Sequence, residues 1–180
     1  MKLAVATNNP GKLAEISQVL VGHELVDRPD IPEPVEDGGT LVANARIKAR
    51  AVVEATGLPA VADDTGLFVD ALDGGPGVET ASFGGWEKLL PVLGDESNRR
   101  AVFRTVALVL WPDGRELVVE GACEGSIASS PRGERGWGYD PVFVPQGGTK
   151  TFAEMTDTEK NALSHRGRAF AALAHALLTG

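Results

Sequence analysis

The sequence lacks several features that would each assign it to a particular class of protein. Its single cysteine, Cys123, excludes an intramolecular disulfide bond and fits a reducing compartment. It has no run of eighteen apolar residues, and it opens with the strand-like segment Lys2–Ala6 instead of a basic region followed by an apolar stretch. We therefore expect a cytoplasmic protein with neither a membrane span nor a secretory signal.

Basic residues are scarcer than acidic ones. The chain has 17 Lys and Arg residues against 25 Asp and Glu residues, which gives a formal net charge of -8. Binding to the phosphate backbone of a nucleic acid rests on a basic surface that releases counterions, so a nucleic-acid polymer is not an expected partner. A small anionic ligand fits this composition, because only the local field around such a ligand matters.

Strand and helix patterns alternate along the chain. A length of 180 residues with 43% hydrophobic residues is enough for one sizeable core, so we expect a single domain over residues 1–180. The alternation predicts an α/β fold with a mixed sheet flanked by helices. The predicted elements are a strand over 2–7, a helix after 11, a helix over 40–55, a strand over 60–62, a glycine-rich loop over 72–85, a helix over 86–93, a hairpin of 102–111 and 116–123, a strand over 142–144 and one helix over 156–178.

The polar segment after the first strand is typical of a phosphate site. It consists of Thr7, Asn8, Asn9, Pro10, Gly11 and Lys12 and opens the first predicted helix. Free backbone N–H groups and the helix dipole both favour an anion at such a position. The segment is not a P-loop, which has two glycines five apart and a Lys-Ser/Thr pair. A polar turn that only caps the helix is about as good an interpretation.

Two acidic pairs are candidates for a metal site. Glu36-Asp37 precedes the second helix, and Asp63-Asp64 follows the short strand. Carboxylates from separate loops suit Mg²⁺, which prefers oxygen ligands and keeps waters and substrate phosphates around it. Asp64 could bind the ion or accept a proton from the attacking water. A solvated acidic turn is the simpler interpretation of Glu36-Asp37, whereas burial of Asp63-Asp64 costs desolvation that a function would explain.

A glycine-flanked aromatic residue could bind a nucleotide base. In the segment Gly136-Trp137-Gly138-Tyr139-Asp140-Pro141 the indole is free to lie flat against a base, and Asp140 could read the base edge. A core tryptophan in a tight turn is the alternative.

Several cationic side chains lie on predicted helices. Lys160 and the segment Ser164-His165-Arg166 share the last helix, and most of their groups could converge on one ligand. Lys48 shares a face of the second helix with Asn44 and could reach a triphosphate, whereas Arg46 and Arg50 are more simply solvated.

Five ordered segments together resemble the inosine triphosphate pyrophosphatase family, also called XTP/dITP diphosphatases. The resemblance runs from residue 4 to about residue 168, and five segments in order are far more specific than any one of them. The segments are Ala6-Thr7-Asn8-Asn9-Pro10-Gly11-Lys12 with Glu15, Glu36 ahead of Asn44-Ala45 and Lys48-Ala49, Ala62-Asp63-Asp64-Thr65-Gly66-Leu67, Gly136-Trp137-Gly138-Tyr139-Asp140-Pro141, and Glu159-Lys160 with Ser164-His165-Arg166-Gly167.

The resemblance implies a fold, a reaction and an assembly. The fold would be a long mixed β-sheet flanked by helices, in two lobes with a central nucleotide-binding cleft, and the protein would be a homodimer. The reaction would convert noncanonical purine nucleoside triphosphates (ITP, dITP and XTP) to the monophosphate and pyrophosphate by a Mg²⁺-activated water, which would cleanse the nucleotide pool of damaged nucleotides.

The resemblance also implies roles for individual residues. The triphosphate would be held by Thr7, Asn8, Asn9, Pro10, Gly11 and Lys12. Glu36 and Asp64 would bind Mg²⁺, and Asp64 would also be the proton acceptor. Thr65 would contact the substrate. The base would be positioned by Trp137, Gly138, Tyr139 and Asp140, and the contacts would be completed by Lys160, His165 and Arg166.

The chain departs from the family pattern at three places. Trp137 stands where phenylalanine is usual, Ser82 stands where an arginine is common, and the segment after Gly85 looks shortened. Three alternatives therefore stay open: a Maf-like nucleotide pyrophosphatase that favours other bases, a nucleotide-binding regulatory module without turnover, and a metal-dependent phosphatase that releases orthophosphate.

Overall fold

The computed structural model describes residues 1–180. The strands are β1 (Lys2–Val5), β2 (Glu24–Val26), β3 (Ala60–Val69), β4 (Gly75–Gly77), β5 (Arg100–Leu110), β6 (Glu116–Ile127) and β7 (Phe143–Pro145). The helices are α1 (Pro10–Val19), α2 (Leu41–Thr56), α3 (Gly85–Leu93), α4 (Asp157–Leu163) and α5 (His165–Thr179), with short 3₁₀ turns at Asp70–Leu72 and Phe152–Glu154. None of the helices is both long and apolar enough to cross a membrane.

The seven strands form one mixed sheet. Its order is β2-β1-β3-β5-β6-β7, and β4 pairs with β3 off this path. β1 runs parallel to β2 and β3, whereas β3 pairs antiparallel with β4 and β6 with β7. The predicted mixed sheet flanked by helices is confirmed. The chain divides into two compact units: residues 1–64, 105–121 and 169–180 form the first, and residues 65–104 and 122–168 form the second.

In the first unit, the side chains of β1 alternate between two apolar clusters. Leu3 and Val5 pack with Ile16 of α1, with Leu20 directly after it and with Phe170 of α5. Ala4 and Ala6 belong to a second cluster with Ala45, Ala49 and Val52 of α2. Successive side chains of a strand point to opposite faces, so each face of β1 is covered by its own helices.

The second unit has an aromatic core. Phe103, Phe143 and Phe152 pack together, with ring centres 4.7 Å apart for Phe103–Phe143 and 5.1 Å apart for Phe143–Phe152. Leu67 of β3 and Leu89 of α3 are fully buried in the same cluster.

The structure differs from the predicted elements at several places: β2 was not predicted, β4 lies within the predicted loop over 72–85, and β6 and β3 are longer than predicted. β3 continues to Val69, so Asp63-Asp64 and Thr65 lie within a strand and do not follow one. Aspartate is disfavoured in strands, which hides the extension in the sequence, but pairing of Leu67, Phe68 and Val69 with β4 extends the strand.

The predicted C-terminal helix is two helices. α4 ends before Ser164, whose backbone is extended at φ -70° and ψ 154°. The Ser164 hydroxyl accepts a hydrogen bond from the Gly167 N–H at 3.0 Å, which is the geometry of a residue that begins a new helix. Lys160 therefore lies on α4, whereas His165 and Arg166 lie in the first turn of α5.

Candidate active site

Asn9 directly precedes α1 and caps it. Its side-chain oxygen accepts hydrogen bonds from the backbone N–H groups of Gly11 at 2.9 Å and Lys12 at 3.2 Å, and Pro10 occupies the first turn. The Thr7 hydroxyl accepts from the Asn9 N–H at 3.1 Å, whereas the Asn8 side chain is exposed. The segment therefore caps α1, and its predicted role in holding phosphates stays a prediction.

The Lys12 side chain forms an ion pair with a buried carboxylate. Its ammonium lies 3.2 Å from Oδ2 of Asp63, whose side chain is only 2% exposed. A carboxylate with so little access to water needs a cation beside it, because the desolvation cost is otherwise uncompensated. Asp63 thereby fixes Lys12 against β3 with a positive charge at the start of α1.

Lys48 of α2 joins the two acidic segments. Its ammonium lies 3.2 Å from Oδ1 of Asp64 and 3.3 Å from Oε2 of Glu36. The loop that carries Glu36 is tied to α2 by a hydrogen bond from the Gly38 N–H to Oδ1 of Asn44 at 2.9 Å. A Cβ atom on Gly38 would lie 2.6 Å from Cβ of Ala43, so this close approach requires glycine.

The charges of this cluster shift two pKa values. Burial raises the pKa of Asp64, Lys48 opposes the shift, and the negative charge of Glu36 adds to it. Burial disfavours the charge on Lys48, but Asp63, Asp64 and Glu36 together outweigh it and raise the Lys48 pKa. In the protein alone, Asp64 is thus a carboxylate with a raised pKa beside the charged Lys48, and a raised pKa suits a group to accept a proton.

The geometry fits a divalent cation that is shared with a ligand. Oδ2 of Asp64 is buried and has no hydrogen-bond partner in the protein, and the two carboxylates already reach a common cation, the Lys48 ammonium. No group of three or more His, Cys, Asp or Glu side chains could hold a metal ion on its own. Mg²⁺ is commonly bound by one or two carboxylates with waters and substrate phosphates as the other ligands. Glu36 and Asp64 fit this type of site.

In the second unit, Asp140 organises the glycine-flanked aromatic segment. Its Oδ2 accepts hydrogen bonds from the Trp137 N–H at 3.0 Å and from the Lys160 ammonium at 2.7 Å. Asp140 and Lys160 are each 6% exposed in their side chains. Gly136 has φ +72°, and a Cβ atom there would lie 2.0 Å from Oδ2 of Asp140. Any other residue at this position would strain the backbone and displace the Asp140 side chain.

Trp137 is not a core residue. Its side chain is partly exposed and does not belong to the apolar cluster of the second unit. Arg166 lies 5.0 Å and Lys160 5.8 Å from its ring, distances at which cations interact with an aromatic face. Its buried Nε1 has no acceptor in the protein. These contacts favour the interpretation of Trp137 as a binding surface over that of a core residue.

The first turn of α5 places two buried side chains. Arg166 donates a hydrogen bond to the Thr65 hydroxyl at 3.0 Å. The His165 ring stacks on Phe103, with ring centres 4.3 Å apart and planes inclined by 16°. Both residues are nearly inaccessible, at 2% exposure for Arg166 and 3% for His165.

The structure brings the predicted residues together in two groups. In the first unit these are Lys12, Glu36, Lys48 and Asp64, and in the second unit they are Thr65, Trp137, Asp140, Lys160 and Arg166. Arg46, predicted to be solvated, is 38% exposed in its side chain and also forms a bidentate pair with Glu116 at 2.6 and 2.8 Å.

The sequence does not indicate two of the contacts. Asp63 is predicted as part of an acidic pair, but its pairing with Lys12 is not, because the two residues are far apart in sequence. Phe103, which stacks on His165, reads in the sequence as an ordinary strand residue.

Comparison with known proteins adds independent findings. The Ham1 family model matches residues 3–176. The chain is 45% identical to a dITP/XTP pyrophosphatase of Gluconobacter oxydans, with 98% of this chain and 91% of the other covered. It is 48% identical to a dITP/XTP pyrophosphatase of Deinococcus deserti, with 96% and 87% covered. The structure of a HAM1 protein from Coxiella burnetii superimposes with a TM-score of 0.90 at 37% identity over 100% of both chains.

Proposed function

The chain belongs to the Ham1 family, and from this membership and the geometry of its two residue groups we propose that it is a nucleoside triphosphate pyrophosphatase. Its substrates are noncanonical purine nucleoside triphosphates, namely ITP, dITP and XTP, and its products are the monophosphate and pyrophosphate. The names of its relatives support the reaction, since they are dITP/XTP pyrophosphatases of nearly the same length.

The observation that carries the proposal is the environment of Asp64. Its Oδ2 is buried and without a protein partner, its Oδ1 contacts Lys48, and its pKa is raised by burial. A buried carboxylate oxygen left without a partner is costly in a protein that binds nothing there. A ligand that brings a cation or a proton to this oxygen removes that cost.

Glu36 and Asp64 are the residues that would hold Mg²⁺. When bound, the ion would supply charge neutralisation to the triphosphate and activation of water. The carboxylate pair fits such a site because the other ligands would come from phosphates and water.

The side chains of the first unit account for the chemistry of the phosphates. Water attacks the α-phosphorus, the bond to the bridging oxygen breaks, and pyrophosphate leaves. Asp64 accepts the proton of the water, for which its carboxylate Oδ2, without a partner in the protein, is suited. Lys12 and Lys48 supply positive charge to a triphosphate, and a nearby helix N-terminus adds to it.

The side chains of the second unit account for base recognition. Trp137 offers an aromatic face, and Lys160 and Arg166 are held beside it by Asp140 and Thr65. Cationic donors favour an oxygen acceptor on the base, which a 6-oxopurine has and adenine lacks. This is the physical reason for preferring 6-oxopurine over adenine nucleotides, and the choice of noncanonical bases among them rests on the resemblance and on the names of the relatives.

The assembly and the location of the protein are part of the proposal. We propose a homodimer in the cytoplasm, on the resemblance for the assembly and on the single reduced Cys123 for the compartment. Size-exclusion chromatography with light scattering tests the dimer, which a monomer at micromolar concentration would refute.

A product analysis separates the proposal from its alternatives. Purified protein is incubated with ITP and Mg²⁺, and pyrophosphate and orthophosphate are measured separately. Release of pyrophosphate with IMP in equal amounts is the expected result. Orthophosphate as the first product would indicate a phosphatase, and binding without any product would indicate a regulatory module. Faster turnover of a nucleoside triphosphate with another base than of ITP would indicate the base preference of a Maf-like enzyme.

A further inference from the structure

Thr80 is a buried polar residue outside the phosphate, metal and base sites. Its side chain is 6% exposed and makes two hydrogen bonds. The hydroxyl donates to the carbonyl oxygen of Gly77 and accepts from the Leu67 N–H at 2.8 Å. Because Leu67 is fully buried, loss of this hydroxyl would leave the Leu67 N–H without an acceptor, at a cost in stability. Thr80 therefore fixes the turn at 77–82 to strand β3.

The backbone of Thr80 holds a residue of the base-binding segment. The Tyr139 hydroxyl donates a hydrogen bond to the Thr80 carbonyl oxygen at 2.8 Å. Tyr139 is 7% exposed, and burial raises the pKa of its phenol, so the group stays a neutral donor. In the sequence Tyr139 lies between Trp137 and Asp140. The hydrogen bond from the Trp137 N–H to the Asp140 carboxylate shapes this segment.

Both ends of this connection reach residues assigned to the base. Leu67 is two residues beyond Thr65 on β3, and the Thr65 hydroxyl accepts from Arg166. The Tyr139 ring meets Phe103 edge to face at 6.4 Å, and Phe103 stacks on His165. A shift of Tyr139 would therefore move the contacts of Trp137 and of His165 together.

We propose that Thr80 is a positioning residue for base recognition, which acts by holding Tyr139 against β3. The proposal rests on the proposed pyrophosphatase function, since it concerns the base site of that enzyme. It gives a role to the segment Thr80-Ala81-Ser82-Phe83 that does not require the arginine that Ser82 replaces. The Ser82 hydroxyl bonds only to Glu79 within the same turn.

The test removes the connection from each end. Thr80→Val keeps the shape of the side chain but loses the hydroxyl. Tyr139→Phe loses the donor to the Thr80 carbonyl and, with it, the oxygen that accepts from the Gly85 N–H. Thr80→Ser restores the hydroxyl and is the rescue variant. Thr56→Val is the matched control, because the Thr56 hydroxyl also donates to a carbonyl (Val52, 2.7 Å) and accepts from an N–H (Leu58, 3.2 Å), but at the end of α2.

Two readouts are measured for each variant. The first is amide hydrogen exchange of residues 136–141, which needs no substrate. The second is the kinetics of pyrophosphate release from ITP with Mg²⁺. We expect Thr80→Val and Tyr139→Phe to accelerate exchange in this segment and to raise KM for ITP about three- to tenfold, with kcat changed less than about twofold. The double variant should raise KM by about the same factor as the single variant with the larger effect, because both changes break the same connection.

The outcomes distinguish the inference from the proposed function. Unchanged exchange and unchanged KM in Tyr139→Phe would overturn the positioning role, even if Thr80→Val did not fold. An equal rise of KM in Thr56→Val would also overturn it, since the effect would then be one of general stability. If the wild type fails to hydrolyse ITP, the proposed function falls, and the exchange readout still decides whether Thr80 holds the segment.

Discussion

Replacement of Lys160 by methionine tests the buried ion pair that supports the base-binding segment. The change keeps a long apolar side chain and removes the charge, which leaves the Asp140 carboxylate, 6% exposed, without its cation at 2.7 Å. Removal of one partner of a buried pair costs about 3–5 kcal/mol of unfolding free energy, because the remaining charge stays desolvated. Asp140 keeps the hydrogen bond from the Trp137 N–H, so we expect a loss near the lower end, about 3 kcal/mol.

Urea denaturation followed by circular dichroism measures this loss. The matched control is Lys150→Met, which removes an exposed partner of Glu159 at 3.4 Å and should leave the midpoint almost unchanged. Adding Asp140→Asn to Lys160→Met should recover part of the lost stability, because no unpaired charge then remains. Equal midpoints for Lys160→Met and Lys150→Met would refute the reasoning, since they would show that the buried pair contributes no more than an exposed one.

Three further changes test other parts of the account. Trp137→Ala should raise KM for ITP about tenfold or more, as expected for loss of a stacked base, while Trp137→Phe should retain most of the affinity; unchanged steady-state kinetics in the alanine variant would mean that the indole does not touch the base. Gly136→Ala should lower the unfolding free energy by about 1–3 kcal/mol in urea titrations and weaken ITP binding. The added methyl group would contact Asp140, and residue 136 would have to keep φ at +72°. Wild-type stability of this variant would contradict the described turn. Hydrogen bonds from Arg46 lower the pKa of Glu116 from its ordinary value of 4.5, so the pair stabilises the fold above about pH 4.5 and loses this effect as the pH falls through the lowered folded pKa. The difference in thermal midpoint between wild type and Glu116→Gln should therefore vanish in acid. A constant difference across pH would contradict this coupling.

Local sequence signals identified much of the fold. The second helix was predicted within one residue because Thr40 is a good N-cap and Ala45, Ala49 and Val52 repeat at helical spacing. The hairpin of β5 and β6 followed from two β-rich runs separated by a Pro-Asp-Gly turn.

The errors have physical causes. The extension of β3 through Asp63 and Asp64 depends on pairing with a later segment, which overrides the low strand propensity of aspartate. The break at Ser164 was not predicted because the apolar pattern continues on both sides of it. In the structure the Ser164 hydroxyl marks the break by accepting from the Gly167 N–H.

The site was predictable in its residue types and less so in its pairings. Asp64 and Glu36 could be selected as metal-binding candidates from chemistry and from the family resemblance. That Lys48 contacts both carboxylates, and that Lys12 contacts Asp63, are properties of the folded chain, since these partners lie on different elements. The contact of Tyr139 with Thr80 spans 59 residues and has no sequence signature.

The most direct test of the central claim is the activity of Asp64→Asn on ITP with Mg²⁺. The amide has nearly the same shape as the carboxylate but can neither accept the proton nor carry the charge, and general-base catalysis is worth about 10²–10⁴-fold in rate. We expect pyrophosphate release to fall by at least this factor at an unchanged circular dichroism spectrum, while Asp113→Asn in the exposed hairpin turn retains full activity. Pyrophosphate release by Asp64→Asn at close to the wild-type rate would contradict the account.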